Sequence, residues 1–225
     1  MSLVLGPIHH WMYGKVKTSE GRERAIVDAF KVKYGDEADK LLEQVYRKYS
    51  KPSDNKSLEE LLAGKSIHQG IQSLIVDVET REAAIIAAFC ANYTDAAEVA
   101  AEAAHDHGLL CGKEAVTSKG LTDEERSDTA RIFEVMGDYH CDGMPCDRGA
   151  QVVEEAKDRT SWDHESCVHE QYWKGTGADF LTMCNIVHEW VAGFGEGVNS
   201  QVGYKREKAI AAGDPSCLSV YEMKK

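Results

Sequence analysis

Apolar side chains recur three and four positions apart through the first half of the chain, the mark of amphipathic helices with one buried face. Over residues 20–34 they fall at Ala25, Ile26, Ala29, Phe30 and Tyr34. Over 36–49 they fall at Ala38, Leu41, Leu42, Val45, Tyr46 and Tyr49. Pro52 marks residues 50–56 as a turn or loop. Ser57, followed three positions later by Glu60, reads as a helix N-cap. Further helices are expected over 80–93 and from Asp95 to about His107. Thr122 caps another, running to about Asp138, before Gly143 and Pro145 break the chain. The pattern then predicts a short helix over 151–157, a strand over 159–172, a helix from Asp179 to about Phe194 and a turn over 195–200. Two strands follow, over 201–210 and 217–223, and the Ala-Gly-Asp-Pro between them predicts an antiparallel hairpin. Helices first, then strand–helix–strand–strand, specify an α+β fold: a helical N-terminal half and a C-terminal antiparallel sheet with packed helices. The expected division is a helical extension over 1–78 and an α+β domain over 79–225.

The helical half resembles itself at an offset of 59 residues. Ile8-His9 matches Ile67-His68. Glu20, Arg22, Glu23, Ala25, Ile26, Ala29, Phe30, Tyr34, Asp36 and Ala38 match Glu79, Arg81, Glu82, Ala84, Ile85, Ala88, Phe89, Tyr93, Asp95 and Ala97. Together these are 12 identities over 31 gapless positions. Two similar helical hairpins packed on each other or on a shared core would produce this pattern. So would coincidence between two Ala-rich amphipathic helices, although helix composition does not explain the repeated Ile-His. His9 and His68 could line a pocket, but a helix-capping or core role is the simpler expectation.

Composition narrows the partners. The formal net charge is −12, and no basic run extends beyond two residues, so nucleic acid is not an expected partner. No apolar stretch approaches the ~20 residues of a membrane span. The first ten residues lack the basic start and apolar run of a signal peptide, so a cytoplasmic protein is expected. Its seven cysteines are an odd count and do not read as a disulfide framework. Trp11 and the long helical faces offer surface for a homodimer.

Reactive side chains gather in the C-terminal third. If residues 161–172 form one strand, Asp163, Glu165, Cys167 and His169 share a face. That face is either a site or the solvent side of an edge strand. Cys184 and His188 lie one helical turn apart and can chelate a soft divalent ion, with Cys167 and His169 completing four ligands; buried packing is the plainer alternative. The segment from Asp142 to Arg148, preceded by His140, brings together Gly, Pro, a thiol, two carboxylates and a guanidinium. Cys146 could be a nucleophile or ligand, Asp147 a base, and Arg148 a clamp for a substrate carboxylate. A structural turn, with Asp147 capping a following helix, would use the same residues. By spacing alone, Gly213 to Cys217 is a hairpin turn.

Cys167, Cys184 on a helix, and Gly-Asp-Pro-Ser-Cys217 before the last strand resemble the L-2-amino-thiazoline-4-carboxylic acid hydrolase family. Residues 184–220, with Gly-Phe-Gly-Glu-Gly at 193–197, also resemble the wider 4-vinyl reductase small-molecule-binding domain. Ala209 stands where that domain has its middle cysteine, which favours the hydrolase-like branch. The resemblance spans about residues 80–223. It implies a hydrolase that opens a small cyclic amidine or amide. Catalytic roles would fall to Cys146, Asp147 and His169, and substrate binding to Arg148 and His140. Zinc or another divalent metal would be held by Cys167, Cys184, His188 and Cys217. The alternative it carries is a non-catalytic small-molecule sensor or carrier. A third reading, from the residues alone, is a helical interaction protein whose thiols are core packing.

Overall fold

The two copies of the internal repeat lie side by side in the computed structural model, which describes residues 6–53, 56–144, 147 and 149–224. Helix α1 (Pro7–Tyr34) holds the first copy and α4 (Ile67–Cys90) the second. Equivalent residues meet across the pair. Phe30 stacks on Phe89 with ring centroids 4.0 Å apart, and Tyr34 stacks on Tyr93 at 3.8 Å. Arg22 clasps Glu82 through Nε and Nη2 at 2.8 and 2.7 Å, and Arg81 donates through Nε to Glu23 at 2.9 and 2.8 Å. Each ion pair is the other's image under exchange of the copies. The helices therefore run in the same direction about a local pseudo-two-fold axis, and the repeat is a packing unit rather than a coincidence of composition. His9 accepts a hydrogen bond from the Gly6 backbone at the start of α1, while His68 is exposed.

Helix α2 (Asp36–Lys48) lays its buried Ala38, Leu42 and Val45 against this pair. The short α3 (Leu58–Leu61) is capped by Ser57 with Glu60 in reply, as the sequence indicates. Helix α5 (Ala96–Lys119) runs well beyond the expected stop near His107. The reason is its partner α9 (Phe180–Val198), which likewise continues into the turn expected at 195–200. A Cβ on Gly108 or Gly112 of α5 would fall 2.2 Å from the carbonyl oxygen of Trp190 or Phe194. A Cβ on Gly193 or Gly197 of α9 would fall 2.1 or 2.2 Å from that of His105 or Leu109. These four glycines permit backbone-to-backbone contact between the two helices. They are interface residues here, not helix breakers.

The helix expected over 122–138 is two: α6 (Asp123–Arg126) and α7 (Thr129–Met136). The Asp128 side chain takes the backbone N–H groups of Ala130 and Arg131 and so starts a new N-terminus. Residues 151–157, expected as helix, hold instead strand β1 (Gln151–Glu155). All five of its residues are exposed, so no hydrophobic period betrays it, and Val152 and Val153 favour extended backbone. Strand β2 (Arg159–His164) is shorter than the expected 159–172; the chain bends after His164 and enters α8 (Glu170–Trp173). Strands β3 (Val202–Lys208) and β4 (Cys217–Met223) form the expected antiparallel hairpin, with Gly213 at φ 99° in the turn. The four-stranded sheet has the order β1-β2-β4-β3 and is antiparallel throughout. Directly opposed pairs share a face, so Trp162, His164, Ser219, Cys217, Tyr204 and Arg206 all look the same way. Tyr221 on that face donates to the Val191 carbonyl, which seats α9 on the sheet.

The fold is thus α+β, as expected. The division expected at 78–79 falls inside the unbroken helix α4. Among the described residues no helix is long and apolar enough to cross a membrane.

Arg22 and Glu82 are buried, with side chains 4% and 1% exposed. Arg22→Met should therefore destabilise the protein by about 3–5 kcal/mol, because it strands a buried carboxylate. Arg22→Met with Glu82→Leu should recover most of the loss. Urea midpoints of the three proteins check this; a double variant no more stable than the single one would contradict the pairing.

Candidate functional site

One segment and three elements converge at the end of the sheet. Leaving α7, the chain carries His140 and Asp142 past the C-terminal end of β2. His164 closes that strand, directly opposite Cys217 at the start of β4. His169 stands at the N-cap of α8. Asp142 is the hub. Its Oδ2 accepts from His164 Nε2 at 2.8 Å and from the Ala150 backbone at 3.2 Å. Its Oδ1 faces His169 Nε2 across 3.9 Å. One ligand atom each from His140, Asp142 and His169 lies within 4.8 Å of the others, the one such group of three or more among the described residues.

The repeat reaches into this cluster. Glu79, the counterpart of Glu20, is buried and accepts from Trp173 Nε1 at 2.9 Å. It also approaches His169 Nδ1 to 3.2 Å, within ion-pair range but off the line of a hydrogen bond. The Trp173 ring stacks on the His169 ring at 5.1 Å and 8°, so one tryptophan fixes both the imidazole and its carboxylate. His140 stacks on Trp190 with centroids 5.7 Å apart.

Burial and charge set the protonation. Burial would raise Asp142, but the His164 hydrogen bond and the surrounding imidazoles hold it well below the usual carboxylate range. Burial would also raise Glu79; His169, Arg22 and Trp173 outweigh it and hold the group ionised. Burial pushes His140 far down, so its imidazole is neutral. Burial lowers His169, yet Glu79 and Asp142 overcome that and raise it.

A cavity of about 330 Å³ opens onto the cluster, a size suited to a small ligand. His140, Asp142, His164 and His169 line it, and so do Trp11 and Lys15 from α1. The cavity therefore draws on the N-terminal helices and not on the C-terminal third alone. Cys167, Cys184, His188 and Cys217, the ligand set expected from the sequence, also line it. Their ligand atoms do not gather into a group as tight as the His–Asp–His one. Burial raises the Cys167 and Cys217 thiols and pushes Cys184 up to about 11, even though Arg206 donates to its sulfur at 3.1 Å. Burial holds His188 down to about 3, where its Nδ1 contacts the Tyr204 hydroxyl. Asp147 reaches the cavity wall, but its carboxylate accepts from the Met144 backbone; it closes a turn, and a strand, not a helix, follows. Cys146 and Arg148 lie outside the described residues.

The expected reactive face of Asp163, Glu165, Cys167 and His169 is not a strand face, because β2 ends at His164. Cys167 and His169 reach the cavity through the bend that follows. His164, Asp142, Glu79 and Lys15 were not assigned roles from the sequence. The His-x-Asp spacing of residues 140–142 was a readable signal for one of them. No family model matches the chain, and no curated protein or solved structure matches it.

A thiol with its pKa at about 11 is almost wholly protonated at pH 7.5. Cys184 should therefore alkylate with iodoacetamide far more slowly than free cysteine, and its rate should still be climbing above pH 9. Mass spectrometry of timed digests measures this. Rapid labelling of Cys184 at pH 7.5 would disprove the assignment.

Proposed function

We propose that this protein is a hydrolase that opens a small cyclic amidine or amide, using a divalent cation held by His140, Asp142 and His169. The observation that carries the reading is the convergence of two imidazoles and a carboxylate on the wall of one ligand-sized cavity. One gap of the donor set has the span such an ion requires. Two donors on one zinc ion, each about 2.0–2.2 Å away, sit no more than ~4.4 Å apart, and the Asp142–His169 gap of 3.9 Å lies inside that limit. His140 is neutral, as a ligand imidazole must be, and His169, whose charged form Glu79 and Asp142 favour, would have to release its proton to bind the ion. His169 has a carboxylate on its far nitrogen, the usual outer partner of a metal-bound histidine. Three protein ligands would leave a coordination position for water or substrate.

A bound zinc or similar ion supplies Lewis acidity and makes water acidic near neutral pH. The chain's own groups do the rest. His164 and the Ala150 amide hold one oxygen of Asp142 and leave the other turned to His169. Glu79 and Trp173 keep the His169 ring from rotating. Apolar side chains such as Phe133, Met136 and Val187 line the cavity and limit its hydration. In the reaction the water oxygen ends on the amidine carbon and the ring C–N bond breaks. Both water protons end on the departing ring nitrogen, so the product is an open-chain amine. L-2-amino-thiazoline-4-carboxylate, the substrate implied by the family resemblance, would give a carbamoyl-cysteine.

Metal analysis and turnover test this together. The purified protein should take up one equivalent of zinc, and Asp142→Asn and His140→Ala should each weaken binding at least ~10-fold. Cys184→Ser should leave the affinity within about three-fold. Loss of metal on Cys184→Ser but not on Asp142→Asn would move the ion to the thiols and sink the proposed site. Metal uptake with no turnover of any cyclic amidine or amide would leave a ligand-binding protein in place of a hydrolase.

A further inference from the structure

One buried nucleophile on the cavity wall has no part in the reaction above. Lys15 is 7% exposed, the one buried lysine among the described residues, and it lines the cavity. Lys17, Lys33 and Lys119 lie nearer the surface, each beside a carboxylate. Lys15 has no such partner: among the described residues no ion pair or hydrogen bond reaches its Nζ. Nζ rests instead 3.8 Å from the centroid of the Trp11 ring, which Asp138 holds by accepting from Trp11 Nε1 at 2.9 Å. The nearby carboxylates are engaged elsewhere, Asp138 also with Lys119, and Asp142 with His164 and the Ala150 amide.

A ring face returns only part of the hydration that an ammonium loses on burial. Burial accordingly lowers the Lys15 pKa, and Cys141, Asp142 and Asp138 pull the other way without restoring it. More of this side chain is free amine at neutral pH than in a solvated lysine, and the free amine is the nucleophile. Nζ also keeps open surface, unlike the wholly buried and unpaired Arg81 Nη2, so a molecule in the cavity can reach it. A desolvated lysine in an apolar pocket is the usual setting for covalent capture of a carbonyl group.

We propose that Lys15 forms an imine with a small aldehyde or ketone bound in the cavity, a chemistry separate from the hydrolase reading. The Nζ lone pair attacks the carbonyl carbon. One nitrogen proton passes through water to the carbonyl oxygen, which gives a carbinolamine. Its hydroxyl then leaves as water with the remaining nitrogen proton while the C=N bond forms. Amine and carbonyl become imine and one water, and nothing is oxidised or reduced. Trp11, Phe133, Met136 and Val187 suit the carbon body of such a ligand and limit the water that would reverse the step.

The test uses the full chain after dialysis against a chelator, with benzaldehyde and butanone as probes. Sodium cyanoborohydride reduces each imine as it forms, and intact mass with peptide mapping locates the product. Lys15 should be modified at least ~10-fold faster than any exposed lysine, because the cavity gathers carbonyl and amine before they react. For the same reason its rate should saturate with probe concentration, while that of exposed lysines rises in proportion. Lys15→Arg and Lys15→Met should each remove the fast adduct. The urea midpoint of Lys15→Met should equal or exceed that of the unaltered protein, since an apolar side chain replaces a buried amine, and this separates loss of the amine from loss of the fold. Even labelling of the exposed lysines with none faster at Lys15, or a fast adduct that survives Lys15→Arg, would overturn the proposal. Trapping at Lys15 upholds it whether or not any cyclic amidine is turned over.

Discussion

Two buried guanidinium–carboxylate pairs, crossed between equivalent positions of α1 and α4, set the geometry on which the site depends. Arg22 with Glu82 and Arg81 with Glu23 fix how far one helix is slid along the other, because a shift by one residue would leave four buried charges unpaired. A greasy interface alone would tolerate several registers; charged pairs in low dielectric do not. That register places Glu79, one turn before Glu82, under His169, and places Trp11 and Lys15 on the cavity wall. Arg22 also contributes to keeping Glu79 ionised. The helical half is therefore part of the site and not an appendage to it.

The repeat is symmetric in its core and asymmetric at its ends. Glu20 and Glu79 are equivalent positions, both buried. Glu20 accepts from the Ser53 backbone and hydroxyl and from Lys17, so it ties down the loop after α2. Glu79 turns instead to Trp173 and His169. The same carboxylate thus closes a loop in one copy and supports an imidazole in the other. The difference comes from what packs outside each helix: an irregular connection beside α1, and α8 beside α4.

Much of this architecture was legible in the chain. The three-and-four spacing of Phe30, Tyr34, Phe89 and Tyr93 announced both the helices and their likeness, and the Gly-Asp-Pro turn announced the last hairpin. The failures have physical causes. Strand β1 buries neither face, so its hydrophobic period carried no signal. Gly195 and Gly197 read as breakers because the sequence does not say that Tyr221 waits beside the first and α5 beside the second. At the site, the imidazoles and thiols were recognisable as chemistry, but their convergence was only partly so. Alternation put Asp163, Glu165, Cys167 and His169 on one strand face, but the strand ends at His164 and the last three lie beyond it. Glu79 and Lys15 were invisible as buried neighbours of the cluster and its cavity, since a charged residue on a helix is ordinarily solvated. Only the tertiary packing of α8 over one and the cavity wall beside the other takes them out of water.

The glycine contact between α5 and α9 explains how the thiol side of the cavity is aimed. Helix α9 carries Cys184 and His188 in its first half and Gly193 and Gly197 in its second. The second half lies backbone against backbone with α5, where any added Cβ would meet a carbonyl oxygen at 2.1–2.2 Å. It can neither rotate nor slide without a clash, and Tyr221 pins the middle through the Val191 carbonyl. An α-helix transmits that fixed phase along its length at about 100° per residue, so the first half must present Cys184 and His188 to the cavity. The sheet holds them there, Arg206 donating to Cys184 and Tyr204 contacting His188. The imidazole pole is positioned by ion pairs and the thiol pole by close packing of bare backbone. Two parts of the same cavity wall are thus held in place by independent means.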